Sequence, residues 1–146
     1  MTSARHGLRI LTTLLLLAAT CRAADFTPEV SSAMDRLYIR AAMTYAGFSK
    51  VEFHFTVHAD GTTSDVTGSN ESQGDRVVLT AGDMAIFHTH PAGCDPRPSP
   101  DDVKVAQHAG IPNYVLSRDA LWVATPDGKI VKVGNVTSKH GHIMVQ

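Results

Sequence analysis

The sequence predicts an α+β domain in which helices lie against one mixed β-sheet, and three observations lead there. Apolar residues recur at helical spacing in an N-terminal stretch, the period then shortens to two, and a second helical stretch separates two groups of strand-like segments. No internal repeat or low-complexity linker interrupts the chain, so residues 24–146 are expected to form a single domain.

The first residues speak to compartment. Arg5 and Arg9 precede an apolar run from Ile10 to Ala19, and small residues follow around Ala23. That is the order of a secretory signal peptide spanning 1–23. The run is too short to cross a bilayer, which takes about 20 apolar residues. The expectation is a secreted or periplasmic protein with no membrane attachment after cleavage. Cleavage removes three of the 13 basic residues and none of the 14 acidic ones, leaving a net charge of about −4. A nucleic-acid partner is not expected, because such a protein would carry a basic face. Cys21 leaves with the signal peptide, so Cys94 has no partner for an internal disulfide. A small secreted domain without disulfides needs another source of stability, and a bound metal is one.

The elements follow in order. Thr27-Pro28 opens a helix, with Thr at the cap and Pro at the first position. Val30, Met34, Leu37, Ala41 and Tyr45 form its apolar stripe and Gly47 its stop. From Val51 to His58, Val51, Phe53, Phe55 and Val57 share one strand face, while Glu52, His54, Thr56 and His58 share the other. Asp60-Gly61 reads as a hairpin turn into a strand starting near Thr62, and Ser69 to Gly74 as loop. Val77 to Thr80 reads as a short strand, and Met84 to His90 as a central one, apolar on both faces until the histidines. A helix from Asp101 to Ala109 closes at Gly110. Strands are expected at Asn113–Ser117, at Leu121–Thr125 and, after an Asp127-Gly128 turn, at Lys129–Val133. His140 and His142 read as part of a frayed polar tail.

The chemistry concentrates in "FHTHPAGCDPRPSPDD", Phe87 to Asp102. Side chains alternate along a strand, so His88 and His90 point one way and Thr89 the other. Two imidazoles on one face can meet one ion, and catalytic zinc sites take three protein ligands and keep a position open. Asp102 is the candidate third ligand, because Asp102, Val105, Ala106 and Ala109 share the inward face of the helix. Asp101 lies outward with Lys104 and His108. Ser99-Pro100-Asp101-Asp102 is also what a well-capped helix looks like, and two strand histidines are ordinary by themselves. Their combination is not ordinary. His-x-His-Pro, seven residues, Ser, two residues, Asp arises by chance in a chain this long on the order of once in 10⁵.

This combination resembles the signature of the JAMM (MPN-domain) metalloproteases. The resemblance implies an MPN-like, cytidine-deaminase-like α+β fold and a zinc-dependent peptidase or isopeptidase. It implies that His88, His90 and Asp102 hold Zn2+, that Ser99 helps to bind the water or the oxyanion, and that a glutamate from an early strand is the general base. Of the three glutamates after residue 23, Glu29 falls in a helix and Glu71 in a loop. Glu52 lies in a strand next to a helix, and is the candidate base. The chemical need is a carboxylate within hydrogen-bond reach of the attacking water, able to pass its proton to the leaving amine.

The expected function is therefore hydrolysis of a peptide or isopeptide bond outside the cytosol. The alternative is a non-catalytic MPN-like binding or inhibitory module, which would have no use for a base. A zinc nucleoside deaminase is excluded, since it would need His-x-Glu and Pro-Cys-x-x-Cys, and the cysteines here stand at 21 and 94. Cys94, between the ligands, reads as a bystander in a tight loop.

Overall fold

The computed structural model describes residues 26–43, 51–68, 77–91 and 93–146. The expected signal segment, Tyr45, the helix stop at Gly47 and the loop from Ser69 to Gly74 lie outside these residues. Among the described residues there are two helices and seven strands: α1 (Pro28–Met43), β1 (Phe53–His58), β2 (Thr67–Gly68), β3 (Asp83–Thr89), α2 (Pro100–Ala109), β4 (Asn113–Leu116), β5 (Ala120–Ala124), β6 (Ile130–Lys139) and β7 (His142–Val145). The strands form one sheet in the order β2-β1-β3-β4-β5-β6-β7. Among the described strands, only β3 and β4 pair in parallel. A parallel neighbour requires a crossover, and α2 supplies it. The α+β class and the single mixed sheet flanked by helices are as the sequence predicts.

One face of the sheet packs on α1. Thr27 Oγ1 accepts the Val30 N–H at 3.2 Å, so the helix starts where its cap residue dictates. Val30, Ala33, Met34, Leu37 and Ala41 are buried, the spacing of one helical stripe. Beneath them Phe55, Phe87 and Tyr114 stack across three neighbouring strands, with ring centroids 4.8 and 4.4 Å apart. These rings occupy the odd-numbered positions of β1 and β3, which commits the even-numbered ones, His54 and His88, to the other face. That second face is partly covered by α2, through Ala106.

Several boundaries and two assignments differ from expectation. Val77 to Thr80 is not a strand: the Thr80 N–H donates to Asp83 Oδ2 at 2.6 Å, which winds the segment into the turn before β3, and Val78 is exposed. The second strand after Asp60-Gly61 shrinks to a Val57–Thr63 bridge and the two residues of β2. The C-terminal tail is not frayed. His140-Gly141 forms a hairpin turn with φ of 54° and 82°, and His142 opens β7. The signal lay in apolar positions at intervals of two: Ile143 and Val145 pack on the core, and His142 Nδ1 meets Asp35 of α1 at 2.8 Å. The inward face of α2 is also narrower than expected. Ala106 is buried and Asp102 half-buried, but Val105 and Ala109 are exposed, because this short helix packs mainly against β4 and β5.

Candidate metal centre

β3 ends and α2 begins on the same side of the sheet, and the loop from His90 to Ser99 joins them. In open sheets with helical crossovers, ligands gather at the carboxyl ends of strands where helices start. His88 Nε2 lies 3.2 Å from Asp102 Oδ1, and His90 Nε2 lies 3.2 Å from Asp102 Oδ2. One ligand atom from each of the three residues falls within 4.8 Å of the others. Zinc with ligands near 2.0–2.1 Å sets tetrahedral donors about 3.3 Å apart. Each histidine Nε2 stands near that distance from one Asp102 oxygen, so the three residues could hold a metal ion of this size.

Hydrogen bonds fix two of the donors. His90 Nδ1 lies 2.7 Å from the Asp95 carbonyl oxygen. A carbonyl can only accept, so Nδ1 carries the proton and Nε2 faces the site, the second-layer arrangement typical of metal-binding imidazoles. Asp102 is held from its own helix end. The Ser99 N–H donates to Oδ2 at 2.6 Å, while Ser99 Oγ accepts the Asp102 N–H at 3.2 Å. This reciprocal pair is a capping box, with Asp in the place usually taken by Glu or Gln. Ser99 caps the helix and, as expected, also lines the site cavity. Asp101, by contrast, points outward and pairs with Lys104 at 2.8 Å.

Electrostatics favour positive charge between these groups. Burial opposes the ionised form of Asp102, but hydrogen bonds from His88, His90 and Ser99 outweigh it and hold the carboxyl well below the carboxylate range. Burial likewise opposes protonation of His90, yet its bonds to Asp102 and the Asp95 carbonyl, with the charges of Asp102 and Glu52, raise its pKa. The Asp102 and histidine side chains are only 9–16% exposed, so water screens them poorly.

Glu52 stands one residue before β1 rather than inside it. His54 pairs with His88 in the antiparallel ladder, so continuing the register sets Glu52 across from His90 on the same face. The backbone there is held by a side chain: the Phe53 N–H donates to Thr89 Oγ1 at 3.0 Å, and Thr89 is fully buried. Glu52, His90, Ser99 and Asp102 line one cavity of about 530 Å³. The structure thus brings together all five residues that the sequence singles out. Cys94 is exposed on the rim.

Three contributors escaped the sequence. The Asp95 carbonyl is a backbone atom with no signature. Alternation gives Thr89 only a direction; a hydroxyl aimed into an aromatic core is the available sign that it serves the backbone. Asn113, buried at the start of β4, donates through Nδ2 to the Asp102 carbonyl at 3.3 Å and supports the first turn of α2 from below. Comparison with family models, with characterised proteins and with solved structures gives no match.

Proposed function

We propose that the chain is a zinc-dependent hydrolase of peptide or isopeptide bonds, with His88, His90 and Asp102 as metal ligands and Glu52 as general base. The observation that carries this reading is the position of Glu52. A structural ion needs ligands only, whereas here a carboxylate stands across the ladder from a ligand histidine and lines the same cavity. Bound zinc supplies Lewis acidity and makes a water acidic enough to ionise near neutral pH. Glu52 takes the proton of the attacking water and returns it to the departing amine. The Ser99 hydroxyl accepts the Asp102 N–H, which leaves its own proton free to donate to the carbonyl oxygen as charge develops there. Asp95 and Thr89 hold His90 and the backbone beside Glu52 in place.

The sheet with helices on either face, carrying this site at a strand end, is the arrangement an MPN-like domain would have. The leader-like order of residues 1–23 supports an activity outside the cytosol, in the cell envelope or beyond it. Among the described residues no helix is long and apolar enough to cross a membrane.

The test pairs elemental analysis with hydrolysis of a fluorogenic peptide library by purified residues 24–146. The wild type should hold about one zinc per chain and cleave. Glu52→Gln should keep the zinc and lose roughly 10²–10⁴ in rate, the usual contribution of a positioned base. Full activity in Glu52→Gln would refute the base assignment, and zinc-loaded protein without any hydrolysis would refute the enzyme.

A further inference from the structure

We propose that the cleft next to the metal ligands recognises a carboxylate-bearing residue of the substrate, seated on the Trp122 ring between Lys132 and Arg118. The proposal deepens the hydrolase reading and rests on it for the identity of the ligand as substrate.

This cleft has a volume of about 560 Å³ and lies between the loop after His90 and strands β5 and β6. It shares the His90 wall with the cavity that holds Glu52, Ser99 and Asp102, so an extended chain crossing that wall enters both. The two halves differ in charge. The metal side carries Glu52, Asp95, Asp101 and Asp102 against Arg97, and Arg97 is engaged by Asp95 at 2.6 Å. The far side carries Arg118 and Lys132 against Asp119. Among the described residues, Arg118 makes no ion pair. A bound dication would offset most of the negative charge of the metal half, so Arg118 and Lys132 of the far half are what draw an anionic side chain and orient the substrate across the site.

A break in sheet register builds the cationic half. β5 pairs Ala120 with Asn135 and Leu121 with Gly134, but Trp122 then pairs with Lys132, skipping Val133. Without that bulge Trp122 would face Val133, and Lys132 would project onto the core side of the sheet. The bulge sends Val133 to the core instead and turns Lys132 onto the cleft face beside Asn135. There the Lys132 amine donates to Asn135 Oδ1 at 2.7 Å and lies 6.0 Å from the centre of the Trp122 ring. An ammonium over an aromatic face, above an apolar platform, suits a ligand with a methylene stem and a carboxylate end.

Trp122 is the one tryptophan of the chain, so its fluorescence reports occupancy of this cleft and needs no turnover. The experiment titrates zinc-loaded Glu52→Gln protein with acetyl-Ala-Ala-Glu-amide and with its glutamine counterpart, at low salt. Two partly exposed ion pairs should give the glutamate peptide roughly tenfold tighter binding. Lys132→Met and Arg118→Gln should each remove much of that preference, and 0.5 M salt should compress it. Equal affinity for both peptides, a preference that survives the double substitution, or no fluorescence change with either peptide would overturn the proposal. The wild type separates this failure from failure of the hydrolase reading. Cleavage with no carboxylate preference sinks the recognition site alone. Carboxylate binding with no cleavage of any peptide leaves the site standing on a protein that is not an enzyme.

Discussion

The most discriminating substitution is Asp102→Asn, because it separates a helix cap from a metal site. Asparagine keeps one carbonyl oxygen to accept the Ser99 N–H, so most of the cap survives. What it loses is the charge shared between His88 and His90, each 3.2 Å away. Without added metal the loss should be about 1–2 kcal/mol, the range of a charge-assisted hydrogen bond in a half-buried setting. Zinc amplifies the difference. Altering a residue that merely supports a ligand costs 10–100-fold in metal affinity, so altering the ligand itself should cost at least about 100-fold. At zinc buffered to a thousand times the wild-type Kd, binding stabilises the wild type by about 4 kcal/mol but the variant by only about 1.4 kcal/mol. For a domain of this length, at roughly 3–5 °C per kcal/mol, that is a rise in Tm of about 12–20 °C against about 4–7 °C. Differential scanning calorimetry in zinc buffers, after treatment with a chelator, measures both. Equal zinc-induced shifts in the two proteins, or none in either, would refute Asp102 as a ligand and leave it a cap.

The other predictions probe the supports of the site and the scaffold. Thr89→Val keeps the shape but removes the acceptor of the Phe53 N–H; it should cost about 1–3 kcal/mol in urea unfolding and lower kcat with zinc content intact. An unchanged kcat would mean that Thr89 does not position Glu52. Cys94→Ser should leave zinc content unchanged and stability within about 0.5 kcal/mol, as for an exposed residue away from structural features; a drop in zinc would make Cys94 a ligand. Asp83 is buried between His58 Nδ1 at 2.7 Å and the Thr80 N–H at 2.6 Å. Burial opposes its ionisation, but Thr80 and His58 outweigh it and hold its pKa below the ordinary 3.8. The unfolded chain then binds this proton first on acidification, so the stabilisation is present above about pH 4 and is lost as pH falls through the folded value. The gap between the thermal melts of wild type and Asp83→Asn should therefore narrow as pH falls below about 4, and a constant gap would refute the assignment.

What could be read from the sequence follows the range of the interactions involved. The direction of His88 and His90, the Ser99 cap and the face of Glu52 are local consequences of alternation and capping, visible within a few residues. The apolar stripe of α1 was legible for the same reason, since Val30, Met34 and Leu37 report their burial by spacing alone. Register is different. That Glu52 faces His90 follows from the His54–His88 pairing between strands separated by a long connection, and nothing near either residue states it. The bulge that turns Lys132 towards Trp122 is equally silent in sequence, because it depends on which strand β6 meets. β7 escapes sequence reading for a related reason. Its polar residues suggested a tail, and only pairing with β6 and packing on α1 give Ile143 and Val145 something to be buried against.

Cap and candidate site need not compete as explanations of Ser99-Pro100-Asp101-Asp102. The hydrogen bond that satisfies the Ser99 N–H also fixes Asp102 Oδ2, and that oxygen stands 3.2 Å from His90 Nε2. A glutamate at this helix position could close the same box, but its longer side chain would add a rotatable bond between helix and ligand atom. Aspartate leaves little freedom: the Ser99 N–H holds its carboxylate, the Asp102 N–H is held in turn by Ser99 Oγ, and Asn113 holds the turn that carries both. The site is thereby organised by the same contacts that begin α2, and little side-chain entropy remains to be lost when a cation binds. The coupling runs both ways. A cation that ties Asp102 to β3 also ties the first turn of α2 to the sheet, at the end where this short helix has Asp102 half-buried and no buried apolar residue to hold it. Stability gained from metal should therefore appear first as slower amide exchange at residues 102–104 and at His90, and only weakly in α1 on the opposite face.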